Sequence, residues 1–162
     1  MRSQYIISIL LFLPLLVIQI TIVPLISISN VSPDLIIILL VYYAIRNGQI
    51  YGTILGFIYG FLFDLLTGSL VGSAMLSKTL TGFIAGYFSN ENKQDFYFKS
   101  YTFPLVVLLC GVIDSIVYSF FSSVEFNTNI LLLFFEQGIM PGLYTAFLSF
   151  IVIIFYPKRY LF

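Results

Sequence analysis

An all-α membrane protein, a six-transmembrane-helix bundle, is the fold this sequence predicts, and three observations predict it. Hydrophobic residues fill 60% of the 162 positions and charged residues 9%, whereas a soluble domain typically carries about 25% charge. The apolar residues fall in runs long enough to cross a ~30 Å hydrocarbon layer at about 1.5 Å per helical residue. Glycine recurs at every fourth position of GQIYGTILGFIYGFLFDLLTG, at Gly48, Gly52, Gly56 and Gly60. In a water-soluble helix each of these would cost about 0.5–1 kcal/mol, but in lipid they let helix backbones approach closely. We read residues 1–162 as a single integral membrane domain, with helices over about 5–25, 33–45, 48–67, 73–88, 101–121 and 130–156.

Each element has its own signal. The run from Tyr5 to Leu25 follows one basic residue, Arg2. It is longer than the roughly 7–15 residues of a signal-peptide core, and no small-residue cleavage site precedes Pro24, so it reads as a retained helix bent at Pro14. SISNVSP is an uncharged polar turn. After it, Pro33 suits the first turn of helix 2 and Asp34 the positive end of its dipole. Helix 2 ends near RNGQ and is short for a full crossing. Helix 3 is the glycine stripe, and GSLVGS turns the chain into helix 4. The strongly hydrophilic stretch SNENKQDFYFKS precedes helix 5, and SSVEFNTN precedes helix 6.

Lysine and arginine set the orientation. Arg2, Arg46, Lys93, Lys99, Lys158 and Arg159 all fall in segments on one side of the six-helix arrangement, and Lys78 lies within helix 4. The positive-inside rule therefore places both termini and the 89–100 loop in the cytoplasm. Tyr42, Tyr43, Tyr87 and Tyr97 fall at the same inner boundary.

Several function classes drop out. Basic and acidic residues number 7 each, so no basic excess points to nucleic acid. The single Cys110 lies in an apolar run, which excludes a disulfide framework. With no histidine in the chain, neither a transition metal nor another cofactor is expected. No phosphate-cradling loop or nucleophile elbow occurs, so no catalytic residue is assigned.

Two features carry the site. Gly82 and Gly86 of GFIAG offer helix 4 as the partner of the stripe on helix 3. That face serves internal packing, a docking surface for another protein's membrane helix, or both. Charges within a bilayer are costly and usually mark function. Four are expected here, Asp64, Lys78, Asp114 and Glu136, from four helices at one level, roughly 5–12 Å below the outer surface. We expect an intramembrane polar cluster in which Asp64 and Lys78 pair across the helix 3–4 hairpin. Three acids against one base leave a surplus negative charge.

The succession SPDLIIILLVYYA, GTILGFIYGFLFDLLTGSLVG, GVIDSIVY and QGIMPGLY resembles MreD, the rod shape-determining membrane protein family of bacteria, over nearly the whole chain. The residues that carry the likeness are Pro33, Gly56, Phe57, Gly60, Asp64, Gly68, Asp114 and Pro141; Lys78 and Glu136 stand outside it. The resemblance implies a fold similar to the substrate-binding subunit of energy-coupling-factor transporters. It also implies a non-catalytic scaffold of the cytoplasmic membrane, in contact with lipid. The partners implied are MreC directly, and MreB, RodA and its transpeptidase within the complex that directs sidewall peptidoglycan synthesis. The main alternative is a vitamin-binding subunit of such a transporter. Helix 1 lacks the alanine-x-x-x-alanine face with which those subunits dock, and the outer turns offer few donors for a polar vitamin. An intramembrane enzyme built on Asp64 and Asp114 lacks any surrounding motif.

Overall fold

The computed structural model describes residues 2–27, 31–68, 70–89, 102–122 and 138–155. Among these, the helices are α1 (Arg2–Thr21), α2 (Leu35–Asn47), α3 (Gln49–Thr67), α4 (Ser73–Tyr87), α5 (Thr102–Ser122) and α6 (Met140–Phe155). The part of helix 6 expected before residue 138 lies outside the described residues.

Several boundaries differ from expectation, α1 beginning at Arg2 rather than residue 5 and α2 ending at Asn47 rather than residue 45, and two of the differences have a local reason. Helix α1 stops at Thr21 rather than residue 25, and Val23–Ile26 forms a separate 3₁₀ turn with Pro24 in its first positions. Pro24 has no N–H with which to continue the α-helical ladder. Helix α2 begins at Leu35, leaving Pro33 outside its first turn. Asp34 is the N-cap, its carboxylate accepting from the Ile36 and Ile37 N–H groups. At 13 residues, α2 is about 20 Å long, short of a ~30 Å hydrocarbon layer.

Neighbouring helices meet with very small separations. A Cβ on Gly56 would overlap the Lys78 carbonyl, one on Gly60 the Ala74 carbonyl, and one on Gly82 the Gly52 carbonyl. The α3–α4 hairpin is therefore antiparallel with backbone against backbone along its length. Gly86 extends the contact onto Gln49 and Gly48. Gly48 itself belongs to the bend rather than to the stripe. It is the single residue between α2 and α3, its φ is 97°, and a Cβ there meets only Ser89 Oγ at 4.0 Å. A second close contact joins α5 to α6, where a Cβ on Gly111 would lie 3.2 Å from the Gly142 Cα. No repeat in the sequence marks it.

Among the described residues, two apolar clusters fill the interior. One joins α2, α4 and α5 through Val41, Ala44, Ala85, Phe103 and Val107. The other joins α1, α2 and α3 through Phe12, Leu16, Leu40, Leu55 and Tyr59. The Phe12 and Tyr59 rings stack with centroids 4.1 Å apart, and the Tyr59 hydroxyl donates to the Ser8 carbonyl. Facing outward are Leu10, Val17, Ile50, Phe57, Leu65, Phe83, Leu105 and Phe147. Large apolar side chains outside and glycine, serine and threonine between helices are the arrangement that lipid, not water, stabilises. Helices α3 and α5 are each long and apolar enough to cross a membrane, while the apolar stretches of α1, α2 and α6 are shorter.

Candidate functional site

The α3–α4 turn explains most of the glycine-acid motif. Gly68 closes α3 in the left-handed conformation, φ 66°, and its N–H returns to the Asp64 carbonyl. Gly72 precedes α4 with φ 113° and has no side chain with which to cap it. Asp64, projecting from the last turn of α3, caps it instead. Its carboxylate accepts from the N–H groups of Gly72 at 2.8 Å, Met75 at 3.1 Å and Ala74 at 3.2 Å. A carboxylate here neutralises the partial positive charge of the α4 N-terminus and satisfies donors that lipid could not. Asp64 is fully buried.

The pairing expected between Asp64 and Lys78 is therefore replaced. Lys78, one turn further along α4, directs its ammonium to Oδ2 of Asp34 and, at 3.3 Å, to Oδ2 of Asp114. The Phe63 ring lies 5.5 Å from the ammonium, within cation–π range. Thr81 donates to the other Asp114 oxygen. Lys78 and Asp114 are buried, and the Asp34 side chain is 22% exposed. Asp34 is the member that sequence reasoning missed. Its position at the head of helix 2 suggested only a dipole partner, and it is that partner as well: Oδ1 caps α2 while Oδ2 meets Lys78.

This division of labour accounts for the surplus of acids among the described residues. One ammonium faces two carboxylates, and the N-terminus of α2 supplies a further partial positive charge, about half a unit, to Asp34. The N-terminus of α4 does the same for Asp64. Every buried side-chain nitrogen and oxygen among the described residues has a hydrogen-bond partner. Glu136 lies outside the described residues.

The remaining family-motif residues fall around this site. The Pro33 carbonyl accepts from Gln19 of α1. Pro141 lies in the first turn of α6, and its carbonyl accepts from Thr145, whose hydroxyl oxygen in turn accepts from the Asp34 N–H. Phe57 faces outward and stacks on Phe61. Gln19 and Thr145 were also missed. Gln19 was signalled by a lone amide in LFLPLLVIQI; Thr145 stands beside Tyr144 and near Ser149 and carries no comparable signal. Among the described residues no group of three or more His, Cys, Asp or Glu side chains could hold a metal.

Fold and site together define an integral membrane protein whose helices are fastened by glycine contacts and by buried ion pairs. Residues 1–159 match the family described as rod shape-determining protein MreD, and the chain belongs to that family. Rod-shape determination is thus the cellular role to which it belongs. Neither curated proteins nor solved structures include a match to it.

Proposed function

We propose that the protein is a non-catalytic scaffold of the cell-elongation complex. It partners MreC in the cytoplasmic membrane and organises sidewall peptidoglycan synthesis alongside MreB, RodA and its transpeptidase. The observation that carries this reading is the Asp34–Lys78–Asp114 network, which ties α2, α4 and α5 together at one end of the bundle. Its polar atoms are consumed by contacts within the chain, as suits a part that holds a shape for a partner. The proposal includes six membrane crossings with both termini cytoplasmic, which sets the network in the outer half of the bilayer. It also includes a fold similar to the substrate-binding subunits of energy-coupling-factor transporters.

The network, rather than Asp64 alone, is the centre of the proposed mechanism. Lys78→Met should break it, and the triple change Lys78→Met, Asp34→Asn, Asp114→Asn should restore a neutral interior. In a depletion strain complemented by each variant, cell width and co-purification of MreC are the readouts. Rounded cells and lost MreC in the single variant, with partial recovery in the triple, support the reading. Rod-shaped cells with undiminished MreC in the single variant, at normal expression, remove the network from the mechanism. A stoichiometric vitamin in the purified protein would replace the scaffold reading with transport.

A further inference from the structure

Immediately before α2 the backbone is extended, with Asp34 at φ −106° and ψ 99°. Non-helical backbone within a membrane protein is tolerated where the protein itself satisfies its polar groups. Here one side-chain amide does most of that. Gln19 Nε2 donates to the Pro33 carbonyl at 2.9 Å, and Gln19 Oε1 accepts from the Leu35 N–H at 2.9 Å. The two bonds bracket Asp34 as a neighbouring strand would. The N–H between them, that of Asp34, donates to Thr145 Oγ1 at 2.9 Å. Thr145 is buried, and its own proton is committed to the Pro141 carbonyl at 2.7 Å. Its hydroxyl oxygen is thus oriented to accept.

Three bonds from two helices therefore fix the backbone on both sides of Asp34, and with it the direction of the carboxylate. That direction matters because the two oxygens have separate tasks, one on the α2 N-terminus and one on Lys78. We propose that Gln19 and Thr145 are positioning residues, which set Asp34 so that Lys78 can pair with it while α2 stays capped. On this account α1 and α6, which contribute no charge to the network among the described residues, decide whether it forms. The inference concerns the network itself and holds whether or not MreC is the partner.

A purely structural role would make Gln19 and Thr145 matter equally with or without the ion pair, so the test is their coupling to it. Cys110 is fully buried, and a fluorogenic maleimide reacting with it on heating reports unfolding of the full chain in detergent. Gln19→Leu and Thr145→Val should lower the midpoint, and Thr145→Ser, which keeps the oxygen, should not. In an Asp34→Asn, Lys78→Gln, Asp114→Asn background, which keeps an acceptor for the cap and removes the whole ion network, Gln19→Leu should cost half as much or less. An equal cost in both backgrounds overturns the proposal. A second measurement needs no purified protein. In a Cys110→Ser chain carrying Ser32→Cys, an exposed position, impermeant maleimide labelling in membranes should quicken with either Gln19→Leu or Lys78→Met, each by at least the roughly 2- to 10-fold that a single lost hydrogen bond produces. Acceleration by Gln19→Leu without any by Lys78→Met would separate the clamp from the pair and overturn the proposal.

Discussion

Lys78 of α4 donates to the Asp34 carboxylate across 44 residues of sequence, and the other oxygen of that carboxylate caps α2. One side chain thus couples the start of a helix to a buried cation. The arrangement stabilises only while both partners are present, because removing one partner of a buried pair strands the other in a medium of low dielectric.

Lys78→Met should therefore be among the most damaging single changes in the chain. It leaves Asp34 and Asp114 facing each other without their shared ammonium, and the expected loss is about 3–5 kcal/mol. Folded yield and the unfolding midpoint in detergent measure it. Neutralising both acids in the same chain should recover most of the loss. A single variant as stable as the parent would show that the pair contributes nothing.

Asp64 should behave differently, because its partners include the backbone N–H groups of Gly72, Ala74 and Met75. Asp64→Ala is expected to cost about 1–2 kcal/mol, the range of a lost N-cap. Asp64→Asn, which keeps an acceptor oxygen, should cost less. Adding Lys78→Gln to Asp64→Asn should deepen the defect rather than relieve it, since the lysine pairs with Asp34 and Asp114. Rescue by the double change would restore the Asp64–Lys78 pairing that the spacing had suggested.

The glycines divide into two kinds with separable outcomes. Gly56→Leu and Gly60→Leu should abolish folded yield, because carbonyls of α4 occupy the space a side chain needs. Ile54→Leu, half-exposed on the same helix, should be silent. Gly48→Ala meets no crowding, yet its φ of 97° should still cost about 1–3 kcal/mol in backbone strain. Unfolding midpoints in detergent separate the two kinds, and a silent Gly48→Ala would show that the bend relaxes.

Topology is testable by labelling. Single cysteines at Ser3, Ser27 and Asn47 in a Cys110→Ser chain should react with an impermeant thiol reagent in spheroplasts only at Ser27. The expectation follows from the bias of lysine and arginine toward the opposite side. Reaction at Asn47 without reaction at Ser27 would invert the orientation.

The sequence alone was enough for the all-helical class, for the places of α3 and α4, and for the family. Apolar runs located α3 and α4 to within a residue or so, and the likeness to the family rested on Pro33, Asp114 and Pro141 as well as on the run Gly56, Phe57, Gly60, Asp64 and Gly68. The reason is that hydrophobicity, helix-breaking residues and four-residue spacing are properties of the chain read along itself. The same spacing located the α3–α4 contact, because two small-residue faces joined by a short turn have one way to meet. The partners of the charges were not legible in this way. Distance along a helix gives depth, about 1.5 Å per residue, and depth placed Asp64, Lys78 and Asp114 near one level. It says nothing of which way each side chain points around the bundle. Only the tertiary structure turned Asp64 onto the bare N-terminus of α4 and brought Asp34 and Asp114, 44 and 36 residues distant, to Lys78. The backbone supplied the missing positive charge, through helix N-termini whose dipoles no count of lysines records.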